Sequence, residues 1–178
     1  MALKDSGREE DTLIVDTADH GLALGQHGLL GKRNVYQHSL SIPMFISGPG
    51  LPKRETREAL TYLYDLFPTL CDLCDIPVPP TVEAKSLLPV ITDPMATVRD
   101  YLFAVYSDVQ AMASDGRWKL IQYSQSPTRH VGTDTVQLFD LQSDPWETRN
   151  LAGEVTTQQI QADLAQQLDK WLTAARKG

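Results

Sequence analysis

The sequence predicts an α/β body followed by a small antiparallel sheet with a covering C-terminal helix. Three observations carry that prediction. Two apolar runs, Thr12–Val15 and Pro43–Ser47, have the near-continuous hydrophobicity of strands buried on both faces of a parallel sheet. From about Thr97 the pattern changes to short runs of strand-forming residues separated by turn signals. Finally, Ile160, Leu164, Leu168, Trp171 and Leu172 make one apolar stripe at helical spacing. The division that follows is residues 1–96 for the α/β body and 97–178 for the α+β subdomain.

Taken in order, the stretch Met1 to Asp11 is charged and polar and reads as neither a signal peptide nor an anchor. A strand is predicted over Asp11 to Thr17, with Asp19 and His20 at its carboxyl end, where open α/β sheets bind ligands. Glycines at 21, 25, 28 and 31 then favour a turned loop over a continuous helix. The second strand ends at Gly48-Pro49-Gly50, and Ala59 to Tyr64 is a third strand candidate. Asp65 is placed to cap a helix whose apolar positions are Leu66, Phe67, Leu70, Leu73 and Cys74, with Pro68 tolerated in its first turn. Pro77, Pro79 and Pro80 stop that helix and open an irregular connector that continues to Pro94. The subdomain strands are predicted over Tyr101–Tyr106, Gln110–Ser114, Trp118–Tyr123 and Gln137–Asp140, with Asp115-Gly116 as a two-residue hairpin turn.

The chain of 178 residues is 42% hydrophobic and 22% charged, ordinary globular values, and its net charge of −7 argues against a nucleic-acid partner. Local charge allows a small anion all the same, because His27, Lys32, Arg33 and His38 cluster in sequence. No apolar run reaches membrane-spanning length. Cys71 and Cys74 lack a second ligand pair for zinc and read as two buried thiols on a helix face.

The most chemically informative stretch is Thr17-Ala18-Asp19-His20-Gly21, followed by Gln26-His27-Gly28 and Gly31-Lys32-Arg33-Asn34. A carboxylate, two imidazoles and an ammonium suit a divalent cation beside a bound oxyanion. Asp offers a hard oxygen, His a nitrogen, and Lys neutralises the anion.

From Leu13 to Gly50 the sequence resembles the metal-and-lysine segment of the type I sulfatases, in the alkaline phosphatase superfamily. The matching residues are Asp19-His20-Gly21, Gly25-Gln26-His27-Gly28, Gly31-Lys32, Tyr36, Ile42-Pro43-Met44-Phe45-Ile46 and Gly48-Pro49-Gly50. The likeness continues through Asp65-Leu66-Phe67-Pro68-Thr69-Leu70, Lys85-Ser86-Leu87, and Leu138-Phe139-Asp140-Leu141 with Asp144-Pro145, Glu147 and Asn150-Leu151. It implies the C-terminal part of an alkaline-phosphatase-like α/β sulfatase fold acting on a sulfated small molecule or sugar.

The same resemblance implies the residue roles. Asp19 and His20 would be half of a Ca2+-type site, and Lys32 would contact the sulfate ester and its leaving oxygen. His27 would be either a catalytic histidine of the sulfate pocket or a residue that orders the loop. Tyr36 and Asn34 would line the pocket, while His38 and His130 read as structural. The family's formylglycine nucleophile arises from Cys/Ser-x-Pro-x-Arg, which is expected upstream. The spacing match here, Gln125-Ser126-Pro127-Thr128-Arg129, has Gln at the nucleophile position and reads as a loop decoy. Two departures stand out. Asp16 interrupts the first strand, where burial would leave an unpaired carboxylate, and Ala84 replaces an expected glycine.

The reading is therefore a sulfuric ester hydrolase portion that does not turn over substrate by itself. A phosphonate or phosphodiester hydrolase of the same superfamily, and a non-catalytic remnant or binding module, are the alternatives.

Overall fold

The structure is a computed structural model that describes residues 2–128 and 130–177. Its elements, in chain order, begin with α1 (Ala2–Asp5), β1 (Ile14–Thr17), β2 (Ala23–Leu24), β3 (Leu30–Gly31), α2 (Gln37–Leu40) and β4 (Met44–Ser47). They continue with α3 (Leu66–Leu73), α4 (Leu88–Thr92), β5 (Leu102–Tyr106), β6 (Gln110–Ser114), β7 (Trp118–Tyr123), β8 (Val136–Asp140) and α5 (Gln158–Ala175). Two compact units result. One comprises the chain up to Asp19 together with Ile42–Asp100; the other comprises His20–Ser41 and the chain from Tyr101 onward.

In the first unit β1 and β4 pair antiparallel, with Ile14 opposite Ser47 and Thr17 opposite Met44. The expected parallel, two-sided burial is corrected here. Exposure alternates along both strands, leaving Ile14 and Phe45 open at 52% and 64%. Asp16 lies on the exposed side of this alternation, so its charge stays solvated and the feared buried carboxylate does not arise.

The third strand candidate, Ala59 to Tyr64, is not a strand. The backbone there is satisfied by side chains instead of a ladder. The Tyr62 amide donates to Asp65 at 2.8 Å and the Leu60 carbonyl accepts from Arg99 at 2.8 Å, while Leu63–Asp65 turns as a 3-10 helix. Asp65 does not cap α3 with its side chain. Wholly buried, it accepts from the amides of Tyr62 and Lys85 and pairs with Arg99 at 2.6 Å. Its role is thus to tie the 85–99 segment to the start of α3. Both cysteines are free, but only Cys71 is buried; Cys74 is exposed because it caps the helix just past its last turn.

The second unit is a four-stranded antiparallel meander in the order β5-β6-β7-β8. Alternation gives it two apolar faces. Ala113, Leu120 and Leu138 face Leu164 and Leu168 of α5, as the stripe predicts. Their neighbours Met112, Ile121 and Phe139 face the other way, onto Val35 and Tyr36. Each fully buried side chain of this size contributes roughly 1.5–3 kcal/mol, so Val35 and Tyr36 from the loop region are an integral part of this unit's core. The predicted β6–β7 hairpin forms, with its turn one residue later than expected. Asp115 and Trp118 face each other, and Gly116 takes the first central position at φ +96°, a left-handed value that glycine adopts at little cost.

Candidate functional site

The second unit gathers most of the chemically distinctive segment. Hairpin β2–β3 sets Ala23 opposite Gly31 and Leu24 opposite Leu30. Its loop needs left-handed backbone, which Gly25 and Gly28 adopt at φ +117° and +69°, and His27 adopts at φ +54°. The hairpin folds the chain back so that the Lys32 ammonium meets Nε2 of His20. His20 Nδ1 lies 2.8 Å from the Gly21 carbonyl, which can only accept, so Nδ1 carries the proton and Nε2 accepts from Lys32. Gly21 fixes this geometry: its amide donates to the Ser39 carbonyl at 2.9 Å, and a Cβ there would sit 2.1 Å from the His38 carbonyl oxygen.

His27 engages a different set of groups. Its ring stacks on Tyr36 with centroids 4.1 Å apart and planes 5° from parallel, and lies 5.7 Å from His38. Its Nε2 is 3.0 Å from the Trp146 carbonyl, to which it donates. Tyr36 in turn donates to Gln137 at 2.8 Å, and Tyr123 donates to the same amide oxygen at 3.0 Å. Burial pushes the Tyr123 hydroxyl well above its ordinary value, so it stays a neutral donor. Asn34 is buried and accepts from the Tyr36 amide, which makes it a turn-forming residue.

Under this stack lies a group that sequence reasoning missed. Lys119 and Glu147 are buried, 2.7 Å apart, and both reach Gln37: Lys119 donates to its side chain at 3.1 Å, and Glu147 accepts its amide at 2.7 Å. Glu147 was visible only as one letter of the Asp144–Leu151 motif, and nothing local in Lys119 signals that it is buried. His38, expected to be structural, also belongs here. Burial lowers its pKa, the neighbouring His27 and Lys119 add to that, and Glu147 opposes it.

Asp19 follows β1 in the first unit and is exposed. The fit of these residues to a divalent cation is incomplete. Both His20 nitrogens are engaged, and no three His, Cys, Asp or Glu side chains converge among the described residues. Calcium takes about six to eight oxygen ligands. The described residues do not assemble such a site by themselves. In the look-alike Gln125–Arg129, Ser126 is buried and donates to Asp108 at 2.6 Å, a loop-locking role, while Arg129 lies outside the described residues.

The mixed helix and antiparallel-sheet architecture is that of sulfatases. A protein solved in complex with its substrate D-glucosamine-2-N,6-O-disulfate superimposes with a TM-score of 0.82 at 25% identity, over 99% of this chain and 37% of its own. A phosphonate monoester hydrolase from Silicibacter pomeroyi gives 0.76 at 30% identity, over 99% and 37%.

The chain belongs to the family described as N-sulphoglucosamine sulphohydrolase, C-terminal, which it matches over residues 25–174. Among curated relatives, arylsulfatase K of Xenopus laevis is 30% identical over 96% of this chain and 32% of its own length. Choline-sulfatase of Rhizobium meliloti is 35% identical over 80% and 27%. The chain thus spans about a third of the length of these relatives.

Proposed function

We propose that this chain is the C-terminal portion of a sulfuric ester hydrolase acting on a sulfated sugar or similar small molecule, with Lys32 as its principal reacting-site group. The observation that carries this reading is the Lys32–His20 contact. An ammonium at the end of a hairpin is oriented by an imidazole nitrogen. Such a donor suits the negative charge that develops on the bridging oxygen as an S–O bond breaks. The resemblance of the whole chain to sulfatases, one of them bound to a disulfated glucosamine, supports the substrate class. Of the two roles open to His27, its stack on Tyr36 and its bond to the Trp146 carbonyl favour the ordering one. Asp19 is proposed as a candidate donor to a divalent cation, Ca2+ in the first instance, and His20 as a second donor that would first have to release Lys32 from its Nε2; the cation's other ligands and the formylglycine nucleophile would come from elsewhere in the enzyme.

The test is made on the whole polypeptide that carries this chain. Lys32→Ala is expected to lower kcat/KM for 4-nitrophenyl sulfate by about 10²–10³-fold, the usual cost of losing one transition-state donor. The 178 residues alone are expected to give no turnover; substantial hydrolysis by them would overturn the proposal. A phosphonate monoester hydrolase is the second reading, favoured by the Silicibacter pomeroyi structure. A higher kcat/KM for 4-nitrophenyl phenylphosphonate than for the sulfate would select it.

A further inference from the structure

The second unit contains a cavity of about 600 Å³, lined by Gln26, His27, Gln37, His38, Trp146 and Thr148 among others. This volume is in the range of small-molecule sites. It contains neither His20 nor Lys32. We propose that it is a carbohydrate-binding pocket that takes a neutral pyranose ring, its apolar face laid on Trp146 and its hydroxyls on the surrounding amide, imidazole and hydroxyl groups. This assignment does not rest on the ester-hydrolase reading.

Three features point to a ligand of that chemistry. The first is Trp146, which stands 68% exposed at the cavity. It is presented on a braced turn. The Asp144 amide donates to Asp140 at 2.8 Å, Asp144 accepts from the Arg149 amide at 2.8 Å and from the Thr148 hydroxyl at 3.1 Å, and His27 holds the Trp146 carbonyl. A large aromatic held open on rigid backbone is an anchor whose ordering cost is met before a ligand arrives.

The second feature is the polar lining. Gln37 has its carbonyl oxygen committed to Lys119, which leaves its amide nitrogen as the group for a ligand. His38 Nε2 is enclosed and has no hydrogen-bond partner among the described residues.

The third feature is charge. The cavity's carboxylate, Glu147, is matched by Lys119, and burial holds His38 toward its neutral form. Neutral donors and acceptors beside an aromatic face suit a hydroxyl-rich ring better than a free anion.

The probe is N-acetylglucosamine, titrated at pH 7 into the 178-residue protein while the imidazole ring protons of its four histidines are followed by NMR. Saturable shifts of the His27 and His38 rings in the millimolar range, with His130 unmoved, are expected. Trp146→Ala should weaken binding about tenfold or more, Trp146→Tyr should restore much of it, and Lys32→Ala should leave it unchanged. Trp146 is exposed, so its replacement leaves the core intact, and an unaltered circular dichroism melt checks this. No saturable shift, binding that survives Trp146→Ala, or the same shifts produced by sodium sulfate alone would overturn the assignment. Failure of the ester-hydrolase reading would appear separately, as turnover indifferent to Lys32→Ala with sugar binding intact.

Discussion

Replacing Lys119 by Met removes one half of an ion pair that water does not reach. The Lys119 side chain is wholly buried and that of Glu147 is 1% exposed, with Nζ and Oε1 2.7 Å apart. Oε1 has no well-directed hydrogen bond among the described residues, so this contact is held by charge at short range. Burial lowers the Lys119 pKa and Glu147 only partly opposes that, which marks the pair as costly to bury. In Lys119→Met the carboxylate keeps the Gln37 amide but loses its counter-charge. Breaking a buried pair from one side costs about 3–5 kcal/mol. For a chain of this size, that corresponds to a melting midpoint lower by about 6–20 °C.

Adding Glu147→Gln keeps an oxygen for the Gln37 amide and removes the orphaned charge. The double variant should therefore recover at least about 2 kcal/mol relative to Lys119→Met. The assay is urea unfolding of the 178-residue protein and both single variants and the double, followed by circular dichroism. A Lys119→Met variant within about 1 kcal/mol of the parent, or a double variant whose loss is the sum of the singles, would refute the reasoning.

Two further outcomes are expected. Gly21→Ala should destabilise the second unit by about 1–3 kcal/mol, because its Cβ meets the His38 carbonyl oxygen at 2.1 Å; a urea midpoint equal to the parent's would contradict that. The second concerns pH. His38 has a folded pKa below its ordinary 6.5, through burial first, then His27 and Lys119, against Glu147. Between the folded value and 6.5 the unfolded chain binds more protons, so stability is full above 6.5 and falls as pH drops toward the folded value. Melting midpoints from pH 7.5 to 5 should decline, and His38→Gln should flatten the decline; an unchanged slope would refute the assignment to His38.

Local pattern determined a good part of this protein. The four subdomain strands, the β6–β7 hairpin and the α5 stripe follow from periods of 2 and 3.6 and from turn chemistry, all short-range properties. The ordered motifs from Asp19 to Leu151 were equally legible, and with them the family. Tertiary structure alone decided the rest, because it depends on which distant residues meet. Nothing around Val35 and Tyr36 announces that they cover the second face of a sheet that begins some seventy residues later. Lys119 sits within a strand pattern where a charge reads as solvated. It is buried because Glu147, turned inward at φ +57°, and Gln37 come from two other segments to meet it. The same holds for β1: its apolar run suggested burial on both faces, whereas antiparallel pairing with β4 gives it an exposed side that accommodates Asp16. Spacing brought His20 and Lys32 under suspicion, but only the hairpin placed one against the other.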